Sequence, residues 1–279
     1  MFLTSRKILQ ESWSWRSFVA RRQRISNATA ADEQPHESDD STTSGSADDN
    51  PYLADFEKHY IPSTPAQKLI LSAGSAIITL LNPGRPDALG VFGETSGQLA
   101  LQRMHEKMMA SNEGQQILLE KPRINSRTVD LDALKKLPPN TFGRAYIKFL
   151  EDNKVTPDTR TPVQFVDDIE LAYVMQRYRE VHDLVHTVLG MPTNMLGEVA
   201  VKWVEGIQTG LPMCMSGAIL GPLRFKTKQR QRYLKSYLPW ALSTAKNAEF
   251  LLNVYYEKRW EQPMGELLRE IKIEPFIEI

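Results

Sequence analysis

Beyond Pro51 the apolar positions recur at three- and four-residue spacing, the period of helices that bury one face, and strand-like alternation is scarce. Ser63 or Thr64 followed by Pro65 forms a helix start. The apolar run through Leu71 and Ile78 carries that helix to Leu81, before Asn82-Pro83-Gly84-Arg85-Pro86 breaks it. Further helices are predicted over 98–110 and 141–152, with irregular chain at 123–130 and 137–140. The longest runs from Val166 to Leu189, where Leu171, Met175, Tyr178, His182, Val185 and Leu189 share a stripe and Gly190-Met191-Pro192 supplies the stop. Asn194 caps a helix from Met195 to Thr209, and a last one spans about Thr227 to Tyr256 with a kink at Pro239. The pattern specifies an all-α fold class: a single multi-helix domain over 51–279. Gly90, Gly93 and Gly97 follow no strand and lack the nucleotide-loop spacing, so they read as turn and helix-packing glycines.

Composition changes the picture at the N-terminus. Residues 1–31 carry six basic residues (Arg6, Lys7, Arg16, Arg21, Arg22, Arg24) and one acid, Glu11, interleaved with apolar side chains. An Arg-rich, Ser-containing, acid-poor segment is expected to be a mitochondrial transit peptide. Residues 32–50 invert to Asp, Glu, Ser and Thr with almost nothing apolar, so they are expected to form an acidic disordered linker. Lys plus Arg equals Asp plus Glu at 34 each, which leaves no global field for nucleic acid. Cys214 is the only cysteine, excluding an intramolecular disulfide and a thiolate cluster. No run reaches the roughly 18 consecutive apolar residues of a membrane span.

Candidate chemistry concentrates in His182-Asp183-Leu184-Val185-His186. Residues four apart on a helix lie one above the other, so both imidazoles project from one face, and Asp183 lies beside His186. Two imidazoles and a carboxylate so placed can meet one ion at about 2.0–2.2 Å. One helix cannot wrap an ion. Glu198, in the first turn of the next helix, returns toward His186 if the two helices pack antiparallel. Considered alone, histidines on an apolar stripe are more often hydrogen-bonded core residues than ligands, and Glu198 reads as a first-turn acid favoured by the helix dipole.

The run His182-Asp183-x-x-His186, eleven residues and then Glu198 resembles the signature of the mitochondrial ubiquinone-biosynthesis family that acts on ring carbon 1 of the polyprenylated benzoate precursor. Other stretches are similar to that family: Phe165-Val166-Asp167-Asp168, Gln176-Arg177-Tyr178-Arg179-Glu180, Gly190-Met191-Pro192-Thr193-Asn194, Gln208-Thr209-Gly210-Leu211-Pro212, Leu238-Pro239-Trp240-Ala241 and Tyr255-Tyr256-Glu257-Lys258-Arg259-Trp260. The resemblance covers nearly all of 55–275. It implies four metal ligands, His182, Asp183, His186 and Glu198. It also implies metal-dependent decarboxylation, oxidative or not, of 4-hydroxy-3-methoxy-5-polyprenylbenzoate or a related prenylated hydroxybenzoate. Zinc is the expected divalent metal, with iron, cobalt and manganese left open. The implied setting is the matrix side of the mitochondrial inner membrane, attached peripherally. The implied partners are a polyprenylated benzoate or quinone intermediate, other ubiquinone-biosynthesis enzymes in a multi-subunit complex, and a second copy in a homodimer.

No proton donor is identifiable in the sequence. Lys202, Glu205 and Arg179 are within helical reach of the ligands but read as surface or ion-pairing residues. Met175, Met191, Met195, Met213 and Met215 flank the ligands and read as core filler, with a lipid-tail channel as the functional alternative. Arg224, Lys226, Lys228, Arg230, Arg232 and Lys235 alternate with Phe225, Tyr233 and Leu234, the composition of an interfacial helix or of a solvated basic face. Two other functions compete with the enzyme. One is a non-catalytic lipid-binding scaffold with a structural metal. The other is an His-Asp phosphohydrolase, which needs further His and Asp ligands that His36, His59 and His105 do not supply.

Overall fold

The computed structural model describes residues 51–82 and 85–278; the transit-peptide and linker expectations for 1–31 and 32–50 lie outside the described residues. The elements are α1 Pro51–His59, α2 Pro65–Leu81, α3 Pro86–Ser96, α4 Gln98–Met109, α5 Asn112–Glu120, α6 Leu131–Lys135 and α7 Phe142–Asn153. There follow α8 Ile169–Leu189, α9 Met195–Thr209, α10 Pro212–Leu220, α11 Thr227–Arg232, α12 Leu238–Asn247 and α13 Met264–Glu270. Among the described residues there is no strand, only an isolated bridge between Thr141 and Pro263. The all-α expectation holds.

Local signals account for the main boundaries. Thr64 and Gln67 form a capping box at the start of α2. Thr141 caps α7, and Asp168 caps α8 by accepting from the N–H groups of Glu170 and Leu171. The longest helix therefore starts three residues later than its apolar pattern predicts, because the Asp168 side chain satisfies N–H groups that would otherwise be orphaned. Gly190 ends α8 in the left-handed conformation at φ 62°.

Helix α8 is the axis of the molecule and packs against α1, α4, α5, α7 and α9. From Leu171 to Leu189 every residue except Thr187 is buried, so the stripe seen in sequence is only part of the buried surface. The polar residues on its other faces are paired. Arg177 meets Glu257 and the Val254 carbonyl, Arg179 meets Glu94 at 2.6 Å, and Arg123 meets Glu180 at 2.8 Å. Burial of such charges is sustainable only with partners of this kind. Helix α3 was not anticipated. Its Gly93 lets the backbone approach Met213 and Met175, whose sulfur and terminal methyl would lie 2.3 and 2.7 Å from an added Cβ. Those two methionines are core filler here, both buried.

The predicted helix from Thr227 to Tyr256 is shorter and interrupted. A π-helical turn over Tyr233–Tyr237 precedes Pro239, which cannot donate to the preceding turn, and α12 stops at Asn247. Beyond it the chain turns inward. Glu249 N–H bonds the Ile271 carbonyl at 3.0 Å, Leu251 N–H bonds Gln208 Oε1 at 3.1 Å, and Leu251, Leu252, Val254 and Tyr256 enter the core. Phe225, Tyr233 and Tyr237 are buried as well. The aromatics of the basic segment thus face the core and not an interface, while Arg224, Lys226, Lys228 and Arg230 stay exposed.

Candidate metal centre

Helix α8 carries His182 and His186 one turn apart, and the turn at Gly190–Asn194 folds α9 back beside them. Asn194 caps α9 by accepting from Leu196 and Gly197 N–H, both at 3.1 Å. The tight return depends on Gly197, where a Cβ would sit 2.0 Å from the Pro192 carbonyl oxygen. Glu198 is then delivered to the histidines: its Oε1 lies 3.4 Å from His186 Nε2 and its Oε2 lies 3.9 Å from His182 Nε2. Ligand atoms of the three residues all fall within 4.8 Å of one another, a grouping able to hold a metal ion. The two rings stand nearly perpendicular, with centroids 4.7 Å apart.

The protonation pattern favours the same use. His186 Nδ1 lies 2.9 Å from the Met191 carbonyl, which can only accept, so Nδ1 carries the hydrogen. His186 Nε2 is buried and has no hydrogen-bond partner. An orphaned buried nitrogen is rare and needs a reason; an ion bound there supplies one. His182 Nδ1 lies 2.6 Å from Glu205 Oε1. Burial pushes the His182 pKa below its ordinary value against the pull of Glu205, so the ring is neutral near pH 7 and presents a bare Nε2. Burial raises the Glu198 pKa, but the two histidines facing it and the Lys202 cation outweigh it and hold it at about 2. The set is two imidazole nitrogens and one carboxylate, with ligand atoms within 4.8 Å of one another. These residues fit a divalent metal.

Asp183 does not join this group. It is buried, and its Oδ1 accepts from Arg160 at 2.5 Å. Beneath the ligands lies a second layer that sequence reasoning missed. Glu205 is buried and takes up His182 through Oε1; its Oε2 accepts from Lys202 at 2.7 Å and from Tyr178 at 2.8 Å, and Cys214 Sγ lies 3.0 Å from the Tyr178 hydroxyl. Neither Lys202 nor Glu205 is a surface residue; of the two expectations the ion-pairing one holds, since they pair with each other. Desolvation opposes both charges, but their mutual attraction, with His182 also acting on Glu205, lowers the Glu205 pKa and raises that of Lys202. Cys214 is pushed up to about 12 by burial and stays a thiol. The spacing held a signal: Glu198, Lys202 and Glu205 at i, i+4 and i+7 occupy one face of α9.

A carboxylate behind a ligating histidine fixes its tautomer, and such outer partners usually influence affinity 10–100-fold. Replacing Glu205 by glutamine is expected to weaken zinc binding by about 10–100-fold, read by competition with a chromophoric chelator. An unchanged affinity would show that Glu205 does not orient His182.

The match to the family described as "Coenzyme Q (ubiquinone) biosynthesis protein Coq4" extends over residues 56–276 and includes every residue of this centre. The chain belongs to the Coq4 family. The Coq4 relatives include the mitochondrial ubiquinone biosynthesis protein COQ4 homolog of Aedes aegypti, 58% identical over 80% of this chain and 81% of its own. The mitochondrial COQ4 homolog of Drosophila grimshawi is 51% identical over 95% of this chain and 98% of its own. A crystal structure of a candidate ubiquinone biosynthesis protein from Nostoc punctiforme shares the fold with TM-score 0.58 at 18% identity, covering 75% of this chain and 98% of that one. Coq4 is a coenzyme Q biosynthesis protein, as the sequence resemblance implied.

Proposed function

We propose that the centre removes the carboxylate from ring carbon 1 of 4-hydroxy-3-methoxy-5-polyprenylbenzoate or a closely related prenylated ring, with or without hydroxylation of that carbon. The observation that carries this reading is the pair of bare imidazole Nε2 atoms facing the half-buried Glu198 carboxylate, whose side chain is 34% exposed. A site closed on the protein side and open at one ligand leaves room for a substrate oxygen, whereas structural zinc sites are usually closed. A divalent metal bound there, zinc by preference, would act as a Lewis acid for the charge that develops when carbon 1 becomes tetrahedral.

The chain's own residues set the rest. Glu205 and the Met191 carbonyl hold the two rings so that Nε2, and not Nδ1, faces the site. Lys202, kept protonated by Glu205, is a standing cation and a poor proton donor, so its part is to hold Glu205 in place. Arg160 places a cation on Asp183, the residue that follows His182 in the chain. In this reading Asp183, released from Arg160, would be the fourth residue to hold the ion. The proposal includes attachment to the matrix side of the inner membrane, a complex with other pathway enzymes that the chain helps to organise, and a homodimer. The mitochondrial names of its relatives support the compartment.

The rival reading, a scaffold with a structural metal, is separated by Glu198→Ala. Purified, metal-reconstituted wild type is expected to release carbon dioxide from the prenylated benzoate, and Glu198→Ala to lose at least about 100-fold of that rate, the scale expected when a directly engaged group is removed. A variant that loses its metal yet decarboxylates at the wild-type rate would sink the catalytic reading.

A further inference from the structure

Helix α2 is amphipathic the wrong way round for a helix in water. Lys68, Ser72, Ser75 and Thr79, at i, i+4, i+7 and i+11, face the protein. Lys68 pairs with Asp167 at 2.7 Å, the Ser72 hydroxyl donates to Thr95 Oγ1 at 2.7 Å, and Ser75 is buried and bonds back to the Leu71 carbonyl at 2.6 Å. The opposite face is apolar throughout and turned outward. Leu69 and Ile70 are each 72% exposed, Ile77 59%, Leu80 51% and Leu81 78%. Nothing lies within 4 Å of where a Cβ at Gly74 would stand. Single exposed leucines need no explanation, but a continuous apolar helix face marks an interaction surface.

The neighbouring segment says what covers it. Arg224 donates to the Leu80 carbonyl and so fixes the start of the basic stretch against the C-terminal end of α2. Leu223, 72% exposed, continues the apolar edge there. Residues 219–235 contain six basic residues and no acid. Lys226, Lys228 and Arg230 are exposed and form no ion pair among the described residues. A chain with equal numbers of acids and bases has therefore gathered exposed cations in the segment that Arg224 anchors at the C-terminal end of the apolar face. Apolar side chains that dip below headgroup level, flanked by cations that meet phosphate, are what an anionic bilayer surface selects. A second copy of the chain would bury the same leucines but gives no reason for a basic segment free of acids beside them. No helix among the described residues is long and apolar enough to cross a membrane, so the contact is one of surface insertion.

We propose that the outward face of α2, with Leu223 and the cations at 224–230, is the surface by which this protein docks on an anionic phospholipid bilayer. The inference rests on the membrane attachment in the functional reading above and goes beyond it by assigning the face. The test uses the full chain and vesicles of phosphatidylcholine with roughly one-third cardiolipin, read by flotation. Leu69→Asp/Ile77→Asp is expected to lower partitioning by at least about tenfold, since each change withdraws an apolar side chain and adds a repelled charge. Lys226→Glu/Lys228→Glu is expected to lower it to a similar extent at low salt and less at high salt. All four positions are exposed, and circular dichroism checks that the fold is kept. In a third variant, Ile77→Trp, emission should shift to the blue when vesicles are added.

Wild type that fails to float would overturn membrane attachment and the surface together. Wild type that floats while both double variants float equally well would overturn the surface alone. A dimeric wild type that becomes monomeric in Leu69→Asp/Ile77→Asp, with vesicle binding unchanged, would instead give α2 to self-association.

Discussion

Replacing Arg177 by methionine is expected to destabilise the protein by about 3–5 kcal/mol, more than any other single charge substitution on α8. Arg177 has no exposed surface and sits at the middle of the most buried helix. Its guanidinium holds Glu257 with two nitrogens and donates to the Val254 carbonyl at 2.9 Å. It thereby ties α8 to the turns that follow α12. Methionine fills much of the same volume but leaves the carboxylate and the carbonyl without a donor. A buried pair adds little net stability when formed, because desolvation offsets the attraction, whereas breaking it from one side strands a charge. Urea unfolding should show the drop, and for a domain of this size the Tm should fall by about 6–20 °C. The double variant Arg177→Met/Glu257→Leu should recover much of the loss. Equal losses in single and double variants would mean that the packing of the arginine stem, and not the stranded charge, is responsible.

The same helix shows where sequence reasoning stops. Periodicity finds residues that bury apolar surface, and it placed Leu171, Met175, Tyr178, Val185 and Leu189 on the buried stripe correctly. It assigns charged residues to solvent by default. Arg177, Arg179 and Glu180 are exceptions because each has a partner 57 to 85 residues distant, a pairing that no local window contains. The C-terminal overextension has the same origin. Residues 248–256 have no local signal against helix, but their side chains are drawn into the core by Gln208 and Ile271. Caps are different. Thr64, Thr141 and Asn194 act within three residues of themselves, so the ends they set were legible.

At the metal centre the local and the distant divide along the same line. The His182 and His186 pairing is a property of one helix and was readable from spacing. The approach of Glu198 depends on a turn closed by Gly190 and Gly197, of which the first was read as a stop and the second not at all. Glu205 was read as a surface or ion-pairing residue, and it does pair with Lys202, but its contact with His182 was not legible because that ring lies on another helix.

Replacing His186 by alanine is expected to abolish stable metal binding, lowering affinity by more than the roughly 100-fold typical of an outer partner. The ring lies against Phe149 with centroids 5.5 Å apart, so alanine also opens a small cavity, and Glu198→Gln serves as the second probe because its side chain is half-buried. Elemental analysis is expected to show roughly one equivalent of metal in wild type and to show its loss in both variants. Asp183 distinguishes two arrangements. If it exchanges Arg160 for the ion, Asp183→Asn should weaken metal binding and Arg160→Gln should strengthen it, because the competing cation is gone. If Asp183 serves only Arg160, both variants should bind metal as wild type does and differ in stability alone. The pH dependence follows from the histidines. The folded-state pKa of His182 lies below the ordinary histidine value, so its nitrogen is free of a proton throughout the neutral range. Proton competition at that ligand should therefore begin only below about pH 6.5, and affinity should fall as the pH drops further. Calorimetry in two buffers of different ionisation enthalpy would show this as little proton release from His182 near pH 7.5, with release growing as the pH is lowered.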